Sequence, residues 1–429
     1  MMFLHQMTCL SDLGSRLRFL TARQIELAVN GLFPKVTVLP FGSSVNSFGK
    51  AGCDLDLVLV TDKDEIEDES KNCRLVFQAK TSLANGRSQV QRHMEMLGDV
   101  CQLLLPGCSQ VRRILQARVP IIKYHQDLTG IECDLSMTNM SAVYMSELLY
   151  IMGASDWRVR PLVFAVRTWA REVGLTNPTP GRWITNFSLT LLVLFYLQQH
   201  TSSQAPVLPT LNALISFAGP DDRRVTSDGV NCTFIRNISQ LQKHMASTKK
   251  SPNKESLESL FIGFFEFYSS FDFSSHAVSL VYGNSIPKPE HSPLYIANPL
   301  ERGFNVSKNV SHDETERLRI EFRNAAWILE SVPLRSDKLK KSSELWGLTA
   351  LFESPRLAEK GRNIFYIPSA SRRNTSRIVD VSVLFQDDES ESANKANLTL
   401  NSESNKENVV PGPPKHVKVE KTSGRVRRR

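Results

Sequence analysis

The residues with the most chemistry to offer in this 429-residue chain are three aspartates and one glycine-serine turn. Asp54 and Asp56 stand two apart in C-D-L-D-L-V-L-V (53–60), where carboxylates alternate with leucines and the run predicts a strand. Side chains at i and i+2 of a strand point to one face, so the two carboxylates share it. They repel each other unless a cation lies between them. Hard oxygen donors of this kind select Mg²⁺ (or Mn²⁺), above all where substrate phosphates complete the shell. A third carboxylate, Asp134, lies in I-E-C-D-L-S (131–136), flanked by apolar residues that make an unpaired charge costly. Three aspartates holding two ions suit in-line nucleotidyl or phosphoryl displacement.

Ten residues before Asp54 ends the turn F-G-S-S (41–44). Gly42 permits a tight turn with close backbone approach. Ser43 and Ser44 offer hydroxyl and amide donors to phosphate oxygens. Neither G-S nor D-x-D is specific alone. G-S, a ten-residue spacer, D-x-D on a strand and a third Asp on a later strand form a specific combination. Cys53 and Cys133 each precede a candidate ligand and are expected to face the opposite, packed side as small core residues.

Positioning these groups falls to a recognisable series of elements. Residues 11–33 carry apolar positions at helical spacing, and K-V-T-V-L-P-F-G-S-S (35–44) reads as a strand ending in a glycine turn. The acidic run 62–70 reads as a solvated loop. A helix is expected over 87–105, then strands over 118–125 and 131–137 joined by a D-L-T-G turn. Helix, strand, strand, helix, strand, strand makes a unit with a small mixed sheet. From 141 to about 330 the pattern turns helical, with M-S-E-L-L-Y-I-M, V-R-P-L-V-F-A-V-R-T-W-A-R-E-V-G, L-E-S-L-F-I-G-F-F-E-F-Y-S-S-F and D-E-T-E-R-L-R-I-E-F-R-N-A-A-W-I-L-E at helical spacing. F-S-L-T-L-L-V-L-F-Y-L (187–197) is too short to span a bilayer and reads as a buried core helix. Beyond 386 the chain is polar and ends in R-V-R-R-R, a tail expected to be disordered.

Bulk properties narrow the class only slightly. A net charge of +8 and a pI near 9.1 favour anionic partners such as nucleic acid, although solubility alone explains them equally well. Seven cysteines without a C-x-x-C pair fit a reduced compartment and argue against a disulfide framework or a cysteine zinc site. M-M-F-L-H-Q-M-T-C-L at the start has neither a cationic n-region nor an Arg-rich amphipathic pattern, and no membrane partner is expected.

G-S-x₁₀-D-x-D with a distant Asp resembles the DNA polymerase β-like nucleotidyltransferase superfamily. F-G-S-S-V-N-S-F-G-K-A-G-C-D-L-D-L, S-E-L-L-Y-I-M-G-A, W-I-T-N-F-S-L-T, N-C-T-F-I-R-N and S-P-L-Y-I-A-N-P-L-E-R-G-F-N-V-S-K-N-V-S narrow this to the poly(A) polymerase and terminal uridylyltransferase branch, most like its mitochondrial members. The resemblance runs from about 35 to 350. It implies an α+β chain: a helical segment (1–34), a nucleotidyltransferase catalytic domain (35–140), a mainly helical poly(A) polymerase-associated domain (141–350) with a nucleotide recognition loop (294–310), an extension (351–385) and the tail (386–429). Activity is expected as adenylyl transfer from ATP to RNA 3′ ends. A terminal uridylyltransferase and an inactive RNA-binding scaffold are the alternatives. Mitochondrial location and a homodimer also follow from the resemblance.

Site roles follow the same resemblance. Gly42, Ser43 and Ser44 would meet the triphosphate, and Asp54, Asp56 and Asp134 would form the metal triad. Asn139 is a candidate ribose contact. Arg167 and Arg171, at i and i+4 on one helix, match positions where the family places basic residues on the triphosphate. The same spacing suits two solvated arginines. Phe187 matches the aromatic on which the incoming base stacks, though it would serve equally as a core residue. Asn305 lies in the recognition loop. Phe304 stands where uridylyl-selective members often carry histidine, which favours ATP over UTP.

Overall fold

In the computed structural model of the chain, the described residues are 1–331, apart from 34, 62–85, 138, 178, 180, 200–204 and 249–252, together with residue 351. The expected acidic loop at 62–70, nearly all of the 351–385 extension and the 386–429 tail lie outside them.

The chain opens with α1 (Met2–Thr8), a short helix that its apolar spacing did not announce, followed by α2 (Asp12–Val29). Ser11 caps α2 by accepting the Gly14 N–H at 3.0 Å, satisfying one of the donors that a helix start leaves open. Next come β1 (Val36–Phe41), β2 (Leu55–Thr61) and α3 (Gly86–Asp99), which runs into a π-helical turn at Val100–Leu104. β3 (Cys108–Ile114), β4 (Ile121–Gln126) and β5 (Ile131–Met137) complete a five-stranded sheet of order β1-β2-β5-β4-β3. β2 and β5 pair parallel, and the other neighbours pair antiparallel, so the sheet is mixed as expected. β3 was not expected. It is a largely exposed edge strand whose register shifts between Ser109 and Arg112, which removes the alternation that would have revealed it.

The rest is mainly helical: α4 (Met140–Ser155), α5 (Val159–Glu172), α6 (Asn186–Leu197), α7 (Leu211–Ser216), α8 (Ile238–Thr248) and α9 (Leu257–Ser270). A small hairpin, β6 (His276–Ser279) and β7 (Asn284–Pro287), precedes α10 (His312–Ser331). Every residue of α6 from Ser188 to Leu197 is buried, as its unbroken apolar run requires. No helix among the described residues is long and apolar enough to cross a membrane.

Two hydrophobic cores result. One lies on the sheet, where α2 brings Ala22, Ile25 and Val29 against Leu55, Leu57, Leu59, Cys133 and Leu135. The other joins the helices around Trp169, whose ring meets Phe265 edge-on at 4.7 Å and stacks on Phe322 at 5.4 Å. Such aromatic pairs add about 0.5–1.5 kcal/mol beyond their area burial. Phe48 crosses between the two. It belongs to the loop between β1 and β2, yet its ring is buried in the helical core. The loop that begins with Gly42 is thereby pinned to α4 and α5.

Candidate active site

Strand register assembles the carboxylates. Parallel pairing sets Asp56 of β2 directly beside Asp134 of β5, and antiparallel pairing sets Asp134 beside Lys123 of β4. Residues directly opposite in a sheet share a face, so two acids and one lysine stand abreast. Asp54 comes just before β2 begins and is exposed, rather than lying within the strand as expected. Lys123 Nζ donates to both oxygens of Asp134, at 2.8 and 2.6 Å. Among the described residues no three acidic, histidine or cysteine side chains converge closely enough, as they stand, to enclose an ion. Asp134 has turned to the lysine instead.

The electrostatics remain those of a site short of positive charge. Burial first, then the charges of Asp134 and Asp54, push the Asp56 carboxyl up to about 7, with Lys123 opposing. Asp54, although its surface is exposed, is also raised, by partial desolvation of its carboxyl and then by Asp134. Carboxylates that raise one another in this way bind a divalent cation readily, and all the donors are hard oxygens. The residues therefore fit Mg²⁺ or Mn²⁺.

Gly42 is required twice over. Its φ is +70°, and a methyl group in place of its hydrogen would collide with the Asp56 carboxylate. Its N–H donates to Ser146 Oγ of α4 at 2.7 Å, so that amide is spent within the fold rather than held for phosphate. Ser44 differs from expectation in the same way. It is buried, and its hydroxyl donates to the Asp54 carbonyl at 3.2 Å, clipping the turn to the segment that carries Asp54. Ser43 is half-buried in the turn. Cys133 is fully buried as expected, whereas Cys53 is only half-buried and its carbonyl accepts from the Arg18 guanidinium.

Past Asp134 on β5 a cleft of about 550 Å³ opens. Asn139 and Phe187 line it together with Arg118, Ser141, Asn298 and Glu301. Phe187 is only partly buried against the helical core, which leaves ring surface for the cleft. Asn139 precedes the first turn of α4, with its Oδ1 3.4 Å from Ser141 Oγ.

Three expected contacts are placed elsewhere. Arg167 is turned inward: it donates to the Phe48 carbonyl at 2.7 Å, to the Asn186 carbonyl at 3.2 Å and to Thr190 Oγ1 at 3.0 Å. It fastens the loop between β1 and β2 to α6. Arg171 is 59% exposed and pairs with Glu172. The two guanidinium groups therefore do not share one surface, because backbone carbonyls at the α5–α6 junction draw only the first inward. Asn305 is buried: it accepts from the Ile296 and Ser307 N–H groups at 3.1 and 2.9 Å and donates to the Leu294 carbonyl at 2.9 Å. It shapes the 294–310 loop from inside, leaving Asn298, Leu300 and Glu301 as that loop's cleft-lining residues.

Lys123, Arg118, Ser141 and Glu301 were missed as site residues. Only Lys123 had a usable signal. Once the D-L-T-G turn closes Gln126 on Ile131, counting back three pairs puts Lys123 opposite Asp134. The other three come together through tertiary contacts that no local pattern encodes.

Comparison with known proteins gives the family and the fold. Residues 1–154 match the family model described as the central palm domain of mitochondrial-like poly(A) RNA polymerase, and residues 256–306 match the Cid1 family poly A polymerase model. The mitochondrial poly(A) RNA polymerase of Drosophila melanogaster is 53% identical over 392 residues, covering 90% of this chain and 61% of the relative. The Homo sapiens protein of the same name is 42% identical over 347 residues, covering 80% and 57%. This chain thus spans about three fifths of the length of the curated relatives it matches. A crystal structure of mtPAP in complex with ATPγS superposes with a TM-score of 0.71 at 39% identity, covering 82% of this chain and 71% of that one. The Cid1 poly(U) polymerase shares the fold, with a TM-score of 0.58 at 23% identity over 77% of this chain and 93% of that one.

Proposed function

The chain belongs to the mitochondrial poly(A) RNA polymerase family, and on that premise we propose that it adds AMP from ATP to RNA 3′ ends without a template. The observation that carries this reading is the juxtaposition of Asp56 and Asp134 on parallel strands, beside a cleft that offers an aromatic face and amide side chains. In the reaction the RNA 3′-hydroxyl attacks the α-phosphate of ATP, and pyrophosphate leaves.

Asp54, Asp56 and Asp134 would hold Mg²⁺ or Mn²⁺, which supplies charge neutralisation at the phosphates and acidifies the attacking hydroxyl. Lys123 donates to both oxygens of Asp134 and holds it along the sheet face. Ser43 and the Gly42 turn meet the triphosphate. Gly42 lets the backbone come close to Asp56 where any side chain would obstruct it. Phe187 stacks on the base, and Asn139 contacts the ribose. Arg167 serves this site through the loop it anchors, not by touching the nucleotide. RNA and ATP are thus the partners, and the relatives' names favour a mitochondrial location.

The test is extension of a labelled RNA primer with each nucleoside triphosphate supplied singly alongside Mg²⁺. A ladder with ATP is the expected result. Predominant UMP addition would replace the adenylyl reading with a uridylyl one, and no extension with any nucleotide would leave an RNA-binding scaffold.

A further inference from the structure

Arg118 ties the recognition loop to the sheet module. Arg118 lies between β3 and β4, a few residues before the strand that carries Lys123. It forms an ion pair with Glu301 and covers the Phe304 ring at 4.2 Å from the centroid. Glu301 is held from a second side, its other oxygen accepting from Ser141 Oγ of α4 at 2.9 Å. The loop itself is built independently of these contacts. Asn298 accepts the Leu300 and Glu301 N–H groups at 2.9 and 3.0 Å, the Asn298 N–H reaches the Phe304 carbonyl at 2.8 Å, and buried Asn305 fixes the base. Its fold is therefore local, while the position of its apex is not. Arg118, Ser141, Asn298 and Glu301 all line the same cleft.

We propose that Arg118 is a positioning residue that sets the recognition loop over the nucleotide and thereby tightens the choice among nucleoside triphosphates. The proposal rests on the nucleotidyltransferase reading above. Its physical basis is the division of labour at Glu301. Arg118 is 63% exposed and Glu301 21%, so their ion pair adds little to the stability of the fold. What it fixes is geometry. The planar guanidinium satisfies a carboxylate and covers an aromatic face at once, which an ammonium does less well. Without it, Glu301 keeps one neutral hydroxyl partner and Phe304 loses its cover, while Asn298 and Asn305 keep the loop folded. A loop folded but free at its apex still admits ATP, with poorer discrimination.

The experiment pairs binding with turnover. Calorimetry with Mg²⁺ measures the affinity of the full chain for ATP and for UTP, in the wild type, Arg118→Met, Arg118→Lys and Ser141→Ala, with thermal melting as the check on folding. Arg118→Met should melt within a few degrees of wild type. It should bind ATP roughly fivefold to tenfold more weakly, the size expected of one partly exposed charge contact plus a cation–π contact. Its ATP:UTP affinity ratio should fall towards one. Primer extension should show KM for ATP rising by a similar factor, with kcat at saturation within about twofold. Arg118→Lys should restore part of the affinity, and Ser141→Ala should give a smaller loss in the same direction. An unchanged ATP:UTP ratio in Arg118→Met would overturn the proposal, as would kcat falling with KM unmoved. If Arg118→Met fails to melt cooperatively, Arg118→Lys decides: a wild-type affinity ratio there refutes the role. A wild type that binds nucleotide but extends no primer counts against the nucleotidyltransferase reading, while the affinity ratios still judge Arg118.

Discussion

The two walls of the candidate site, the carboxylate face of the sheet and the loop beside the neighbouring cleft, are held in place by opposite means. On the sheet side, Asp56, Asp134 and Lys123 are fixed by backbone register, three neighbouring strands setting them abreast. On the loop side, Asn298 and Glu301 are fixed by side chains, with buried amides below and one ion pair above. The sheet wall concentrates charge it cannot neutralise alone, and Asp56 is pushed up towards neutrality as a result. On the loop wall, Asn298 Oδ1 and both Glu301 oxygens already accept hydrogen bonds. On the proposed reading, chemistry sits on the part that cannot move without breaking strand pairing, and recognition on the part that can shift at modest cost.

Changing the sheet wall should have the largest effect. Asp56→Asn keeps the shape and removes the ligand charge. Primer extension should fall on the order of a thousandfold, equivalent to about 4 kcal/mol in the barrier, while thermal melting stays at or above that of wild type, because a half-buried repulsive charge has gone. Retained extension would remove Asp56 from the metal set. Next in size is the loop wall at its base. Asn305→Ala leaves the Ile296 and Ser307 amides and the Leu294 carbonyl without their partner. A loss of roughly 1–3 kcal/mol by urea unfolding is expected, accompanied by weaker ATP binding. Unchanged stability would mean that the loop does not depend on that amide.

The smallest contrast lies within α5. Arg167→Met should destabilise measurably and slow extension, since it releases Phe48 and with it the loop between β1 and β2. Arg171→Ala should change both by no more than about 0.5 kcal/mol, as an exposed pair usually does. Equal losses of activity at the two positions, without loss of stability, would return both to the triphosphate.

Much of the sheet wall was legible because its signals are local. Alternation in D-L-D-L-V-L-V predicts β2, the D-L-T-G turn predicts the β4–β5 hairpin, and a glycine before two serines predicts the turn. The α6 run was equally plain, since only burial on all sides tolerates it. β3 was not legible, because an exposed, bulged edge strand has no core face to pattern its sequence. The inward turn of Arg167 and Asn305 was hidden for a related reason. An arginine and an asparagine look alike in sequence whether their donors meet a ligand or a carbonyl from a distant segment.

The amino-acid sequence by itself determined which residues could carry the reaction, because carboxylates on a strand and a glycine at positive φ are constrained by bonds within a few residues. Only the tertiary structure decided which of them meet. The pairing of Asp56 with Asp134 depends on a parallel register between segments nearly eighty residues apart. The latch of Arg118 on Glu301 spans 183 positions. Such contacts form only when two hydrophobic cores have each chosen their packing, and packing is a property of the whole chain rather than of any stretch of it.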